Sequence, residues 1–321
     1  MTTGLIIGKF WPLHAGHSKL IERAQSECDR VVVVVCEGGE DVPAWVRREW
    51  ILASHPLVVC HILNNIEDGD TPEQTSLRWA KHVEQEVGEW EWYTFDKVYL
   101  GDDYPEGNRF AEFLGAERVS VPRDEVSGTK VRENPRKYWD ALSPPVRAHY
   151  ATRIVVVGAE STGTTTLAKG LAAALGTVWV PEYGRTYTEG RGLDLPWTTD
   201  EFWHIQDVQN QMEEQLARKC NRYLICDTDA WATDIWHERY VGSRMEVSLY
   251  NRRTPDLYLL TDDEGVPFVQ DGLRDGEHLR RWMTLKFDRA LKDEHRPFAF
   301  ITGSRGTRLE RALQEIERRL G

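Results

Sequence analysis

Cysteine is scarce in this 321-residue chain. Its five cysteines, Cys28, Cys36, Cys60, Cys220 and Cys226, are odd in number and never fall in a C-x-x-C spacing. That excludes a disulfide framework or a cysteine zinc site and points to the reduced thiols of a cytoplasmic protein. Long apolar runs are missing as well. The longest, such as Val31–Cys36 and Ile154–Gly158, fall far short of the ~20 residues a membrane span needs. The opening MTTGLIIGKFW has neither the basic region nor the small-residue cleavage site of a secretory signal. Positive charge is in deficit too, with 40 Lys+Arg against 52 Asp+Glu and a net charge of −12. Such a balance argues against a nucleic-acid partner, whose binding depends on many phosphate-neutralising cations. A small anion still fits, because the deficit is local: residues 20–117 hold 8 basic and 21 acidic side chains, residues 1–19 hold 2 and none, and residues 118–147 hold 7 and 4.

What is present is a repeated alternation of short β-branched runs and longer helical patterns, the signature of parallel sheets with crossover helices. Strands are expected at Gly4–Ile7, Arg30–Cys36, Leu57–Ile62, Lys97–Leu100 and Glu117–Val121, with helices at His17–Ser26, Val46–Ala53 and Gln74–Glu86. A Pro144–Pro145 pair then precedes a fresh strand, Arg153–Val157, so the expected domains are 1–150 and 151–321. The second half adds strands at Tyr223–Cys226, Leu257–Leu260 and Ala299–Ile301. Its helices are expected at Thr165–Leu175, Thr199–Cys220, Leu279–Glu294 and Arg305–Leu320. Each half opens on a strand, a glycine-containing turn and a helix, where phosphates are usually bound.

In the first half that turn reads GKFWPLHAGH. His14 and His17, three apart, lie on nearly one side of the helix's first turn, beside unpaired N–H groups, and Gly16 lets backbone approach a ligand. A triphosphate fits such a site. The later segment VSGTKVR offers Ser127 as an N-cap, Gly128 for backbone access, and two cations, Lys130 and Arg132, in a first turn. Cations there oppose the helix dipole, and a bound polyphosphate supplies the reason.

In the second half GAESTGTT, Gly158–Thr165, has the spacing of a phosphate-binding loop, G-x-x-x-x-G-K-[ST], with Thr164 where lysine is expected. Its backbone N–H groups still cradle a phosphate and Thr165 still offers a hydroxyl to Mg²⁺. LICDTD ends an apolar strand in Asp227 and Asp229, and Asp227 is the expected Mg²⁺-side residue. No Ser-His-Asp or Cys-His nucleophile is apparent.

GKFWPLHAGH and SGTKVRENP resemble the HxGH and ISSTxxR-type signatures of nucleotidyltransferases, and the whole chain is similar to the NadR-type bifunctional family. That family joins a nicotinamide mononucleotide (NMN) adenylyltransferase to a ribosylnicotinamide kinase. The resemblance implies an α/β chain in which a Rossmann-like nucleotidyltransferase domain precedes a P-loop kinase-like domain. It implies that His14, His17, Lys9 and Arg132 act on the ATP phosphates, with Gly8, Phe10, Gly16, Ser127, Gly128 and Thr129 around the nucleotide and Arg47 and Trp79 against NMN. In the second domain it implies phosphate binding by Gly158, Ser161, Gly163, Thr164, Thr165 and Thr166. Glu182 and Arg185 are then expected near the ribosyl substrate, and Asp271 and Arg274 in a lid. ATP, NMN and ribosylnicotinamide are the implied small-molecule partners, NAD the product and Mg²⁺ the metal. A DNA-binding segment, found in some members of that family, is not expected before a strand that starts at Gly4. Two other readings stand beside this one, a nucleotidyltransferase for a different phosphate substrate and a non-catalytic NAD or ATP sensor. The oligomeric state, homo-oligomers included, is open.

Overall fold

The structure is a computed structural model, described here for residues 1–88, 94–102, 108–122, 125–192, 195–245, 254–269 and 276–321. The chain divides into two compact units, Met1–Val146 and Arg147–Gly321. Among the described residues no helix is long and apolar enough to cross a membrane.

In the first unit the β-branched runs become β1 (Thr3–Gly8), β2 (Arg30–Glu37), β3 (Val59–Asn64), β4 (Lys97–Gly101) and β5 (Glu117–Val121). They form one sheet of order β3-β2-β1-β4-β5, and all its pairs are parallel. The helices are α1 (Ala15–Glu27), α2 (Ala44–Ser54), α3 (Pro72–Val83), and the short α4 (Phe110–Phe113) and α5 (Gly128–Glu133). Helix starts follow local chemistry: Thr71 caps α3 from its hydroxyl with Pro72 in the first turn, and Ser127 caps α5. Leu5, Val32, Val34, Leu63, Val98 and Leu100 build the core that α3 covers. The strand order reverses at β1, so the crevice beyond the carboxyl ends of β1 and β4 is where this architecture binds ligands. β3 begins two residues later than the alternation suggests.

The second unit is a sheet of order β10-β9-β6-β8-β7, again parallel throughout. α6 (Pro144–Tyr150) leads to it from the unit boundary, followed by β6 (Thr152–Gly158), α7 (Thr164–Ala174), β7 (Trp179–Val180), α8 (Tyr183–Glu189), α9 (Thr199–Ala217) and β8 (Tyr223–Asp227). Then come α10 (Ala230–Val241), β9 (Leu257–Thr261), α11 (Arg280–Asp293), β10 (Phe298–Ile301) and α12 (Arg305–Leu320). Thr198 and Glu201 close a reciprocal capping box on α9. Ile154, Val156, Ile225 and Leu259 of the sheet pack with Leu167 and Leu171 of α7 and Ile316 of α12. The periodicity missed α10, because its buried set of Ala232, Thr233, Asp234, Ile235 and His237 mixes polar with apolar residues and leaves no apolar stripe to read. All five cysteines are free thiols; burial pushes Cys36 and Cys60 up to about 12.

Candidate functional site

At the carboxyl end of β1 the chain turns through Lys9–Leu13 into α1, and His14 becomes the N-cap. Its Nδ1 accepts the Gly16 N–H at 3.1 Å, so in the neutral ring the proton sits on Nε2. His14 is 2% exposed. The His17 ring lies over it at a centroid distance of 4.0 Å, with Phe10 at 5.0 Å from His17 on another side. A Cβ at position 16 would crowd the His14 ring, at 3.0 Å from Cε1, so glycine lets the ring lie against the turn without displacement. Gly8 and Phe10 are thus part of the same turn, Phe10 buried beneath it.

The distant VSGTKVR segment is brought against this turn. Arg132 donates from one terminal nitrogen to the Trp11 carbonyl and from the other to Thr129 Oγ1 at 3.2 Å, while its guanidinium lies 3.6 Å from the centre of the Trp11 ring. Gly128 is required by the approach, because a Cβ would lie 2.6 Å from the Trp11 carbonyl oxygen. Trp11 in turn donates its indole N–H to Asp41 at 2.5 Å. Lys130 is tied to the Glu125 carbonyl at 2.7 Å.

Lys9 is exposed and pairs with Glu40 at 2.9 Å. Burial pushes the Glu40 carboxyl up, but Lys9, the Gly38 N–H and Arg47 outweigh it and hold the group below the ordinary range. Arg47, expected against NMN, lies beside the same loop. It is fully buried, and its guanidinium donates to the Val42, Cys36 and Lys9 carbonyls and to Glu37 and Glu40. A side chain so committed organises the β2–α2 loop. Trp79 on α3 is half-buried, packed on the core and edge-on to His82.

In the second unit the phosphate-loop sequence forms the expected strand-to-helix turn. Gly163 caps α7 with φ +85°, a conformation that favours glycine, and a Cβ at Gly158 would collide with the Thr261 and Thr162 hydroxyls at 2.3 and 2.6 Å. Thr164 and Thr165 both hydrogen-bond Asp227, which is 2% exposed, while Thr166 is exposed on the same turn. Burial raises the Asp227 carboxyl, opposed by those two hydroxyls and by the charges of Lys169 and Arg185. Lys169 itself sits over the Trp179 ring at 4.9 Å and does not take the place of the missing loop lysine.

A cavity of about 680 Å³ opens from this loop, and its lining includes Asp227, Glu182 and Arg185 together with the aromatic side chains of Trp197, Trp236 and Tyr240. Arg185 pairs with Glu189 at 3.4 Å. Asp229, the other member of the acidic pair, accepts from the Ala232 N–H and the Tyr258 hydroxyl and so caps α10. Asp271 and Arg274 lie outside the described residues.

Sequence reasoning missed two buried arginines that brace the loop from behind. Arg280 donates to the carbonyls of Ser161, whose φ is +58°, and Val266, both at 3.0 Å. Arg308 joins the Thr162 carbonyl to Asp262, whose carboxylate it pairs with at 2.7 Å. Each reads as an ordinary helical surface cation in sequence, so nothing there announced it.

At the cavity wall Arg191 holds Glu201 at 2.6 Å. Glu201 falls from 4.5 to about 2, chiefly through Arg191, with burial opposing and Thr198 assisting. The folded carboxyl titrates below the unfolded one, so this stabilisation is complete above pH 4.5 and is lost as pH falls toward 2. Glu201→Gln is therefore expected to flatten the acid-side fall in melting temperature across that window. An unchanged slope would contradict the assignment.

An Escherichia coli (strain K12) protein described as a trifunctional NAD biosynthesis/regulator protein, NadR, is 27% identical over 302 residues, 85% of this chain and 72% of its own length. The chain is a homologue of NadR. A nicotinamide-nucleotide adenylyltransferase of Methanocorpusculum labreanum is 26% identical over 142 residues, 41% of this chain and 79% of the relative. The AAA domain model matches residues 153–308, within the second unit. Among solved structures, NadR in complex with NR aligns over 100% of this chain and 96% of that one, with a TM-score of 0.77 at 20% identity; NadR with NAD and AMP-PNP gives 0.73 at 19%. These likenesses support the two parallel-sheet α/β architecture. The comparisons favour nucleotidyltransfer over sensing alone.

Proposed function

We propose that this chain makes NAD, its first unit transferring AMP from ATP to NMN and releasing pyrophosphate. The observation that carries the reading is the joining of His14 and His17, at the start of α1, to Ser127–Arg132, through the contacts of Trp11 and Gly128 at the reversal of strand order. The NMN phosphate is already anionic and attacks the α-phosphorus of ATP without a general base, and the bond to pyrophosphate breaks. What the protein must supply is position and positive potential where charge builds on the leaving group. The His17 ring, the N–H groups of the first turn of α1, Lys9 and Arg132 are suited to that, with His14 setting the turn beneath His17.

ATP brings a divalent cation, which we take to be Mg²⁺ and which screens phosphate charge. Among the described residues no cluster of three or more His, Cys, Asp or Glu forms a protein cage for a metal. In the second unit Thr165 and Asp227 fit a cation held mainly by substrate phosphates. That unit is read as a pocket for ribosylnicotinamide: its aromatic wall suits a flat cationic ring, and Glu182 and Asp227 add negative charge. Thr164 in place of lysine favours a slowed kinase or a binding pocket. We take its location to be the cytoplasm, a reading with which five unpaired cysteines agree.

The test is incubation of the purified chain with ATP, Mg²⁺ and either NMN or ribosylnicotinamide, scoring NAD and NMN separately. NAD from NMN supports the first unit's role, and NMN from ribosylnicotinamide supports the second. Folded protein that forms no NAD from NMN overturns the proposal.

A further inference from the structure

We propose that Trp11 is a positioning residue for adenylyl transfer, fixing the guanidinium plane of Arg132 while leaving its charge unspent; this rests on the reading of the first unit as an NMN adenylyltransferase. The two cations beside the histidine turn are held in opposite ways. Lys9 is paired with the buried Glu40 carboxylate at 2.9 Å, so part of its field is cancelled at the source. The contacts described for Arg132 are with Trp11 and Thr129, and neither is a carboxylate.

A neutral ring face and a carbonyl orient a guanidinium without neutralising it, which suits a group that must meet developing phosphate charge. Trp11 can do this because it is itself fixed. Its indole N–H is bound to Asp41 at 2.5 Å, and the close approach at Gly128 sets α5 against its carbonyl. Asp41 and Glu40 are neighbours in the β2–α2 loop, so one loop places both cations, Lys9 through Glu40 and Arg132 through Trp11. In an unbraced site a long arginine side chain would sample several rotamers and lose part of its effect on the transition state.

The experiment measures kcat and KM for ATP and NMN in Trp11→Leu, Trp11→Phe, Arg132→Ala and the Trp11→Leu/Arg132→Ala double variant. Leucine keeps apolar bulk and removes the π face. It is expected to lower kcat/KM for ATP about 3- to 30-fold with the KM for NMN unchanged. Phenylalanine restores a face but not the hydrogen bond to Asp41, and recovers part of the loss. In the Arg132→Ala background the leucine substitution costs nothing further, since the residue through which Trp11 acts is gone. An equal loss in both backgrounds, or a phenylalanine variant as poor as leucine, overturns the proposal. If leucine compromises folding, Trp11→Phe with and without Arg132→Ala carries the same test, because any loss it causes must also vanish without Arg132. Wild-type protein that makes no NAD overturns the proposed function and this assignment together. NAD from the wild type with an uncoupled Trp11 overturns this assignment alone.

Discussion

Replacing His17 by alanine lowers kcat for NAD formation by about 10²–10³-fold, the cost of removing one preorganised donor to developing charge. The fold survives the change, because His17 is half-buried in the first turn of α1 and its Nδ1 and Nε2 are not the cap of that helix. His14 behaves differently. It is buried and caps α1 through Gly16, so alanine there removes about 1 kcal/mol of helix stability in addition to disturbing the ring beneath His17. Steady-state kinetics with parallel thermal melts separates the two. A His17→Ala variant with wild-type kcat would remove the histidine pair from the reaction.

Thr164→Lys is expected to raise ATP-dependent phosphorylation of ribosylnicotinamide by a similar factor, about 10²-fold. The loop that would present the lysine is already formed: Gly163 takes the left-handed turn, Gly158 the close approach, and Arg280 and Arg308 hold the carbonyls of Ser161 and Thr162. The loop sequence, Gly158–Thr165, carries no cation of its own. Thr164 donates to Asp227 instead, and Lys169 lies over Trp179. A lysine at 164 has Asp227 as a neighbour before nucleotide arrives and the phosphates as partners afterwards. The measurement is NMN formed from ribosylnicotinamide by both proteins at equal concentration. Wild-type turnover at ordinary kinase rates, unchanged by the substitution, would mean that another group such as Arg185 already supplies the charge.

The β-branched runs made the strands of both sheets legible, because a parallel sheet buried on both faces needs continuous apolar segments. The two phosphate turns were legible for a related reason. Gly16, Gly158 and Gly163 stand where a Cβ would clash or the backbone turns left-handed, and such requirements leave a fixed spacing in the sequence. Long-range partnership left no such trace. Arg47 looked like a ligand-binding cation, yet its buried guanidinium serves carbonyls on β2 and before α2. Asp229 read only as the second carboxylate ending an apolar strand, and its side chain caps a helix whose mixed buried face gave no period. Trp11 was in plain view inside GKFWPLHAGH. Its role emerges only when Arg132, 121 residues away, stacks on it.

The most direct measurement follows the α-phosphorus. Purified chain is incubated with NMN, Mg²⁺ and ATP labelled at that atom, and the products are separated. Adenylyl transfer predicts label in NAD, with one pyrophosphate released for each NAD formed. Label recovered only in ATP, ADP or free AMP, with NMN unconsumed by folded protein, would contradict it.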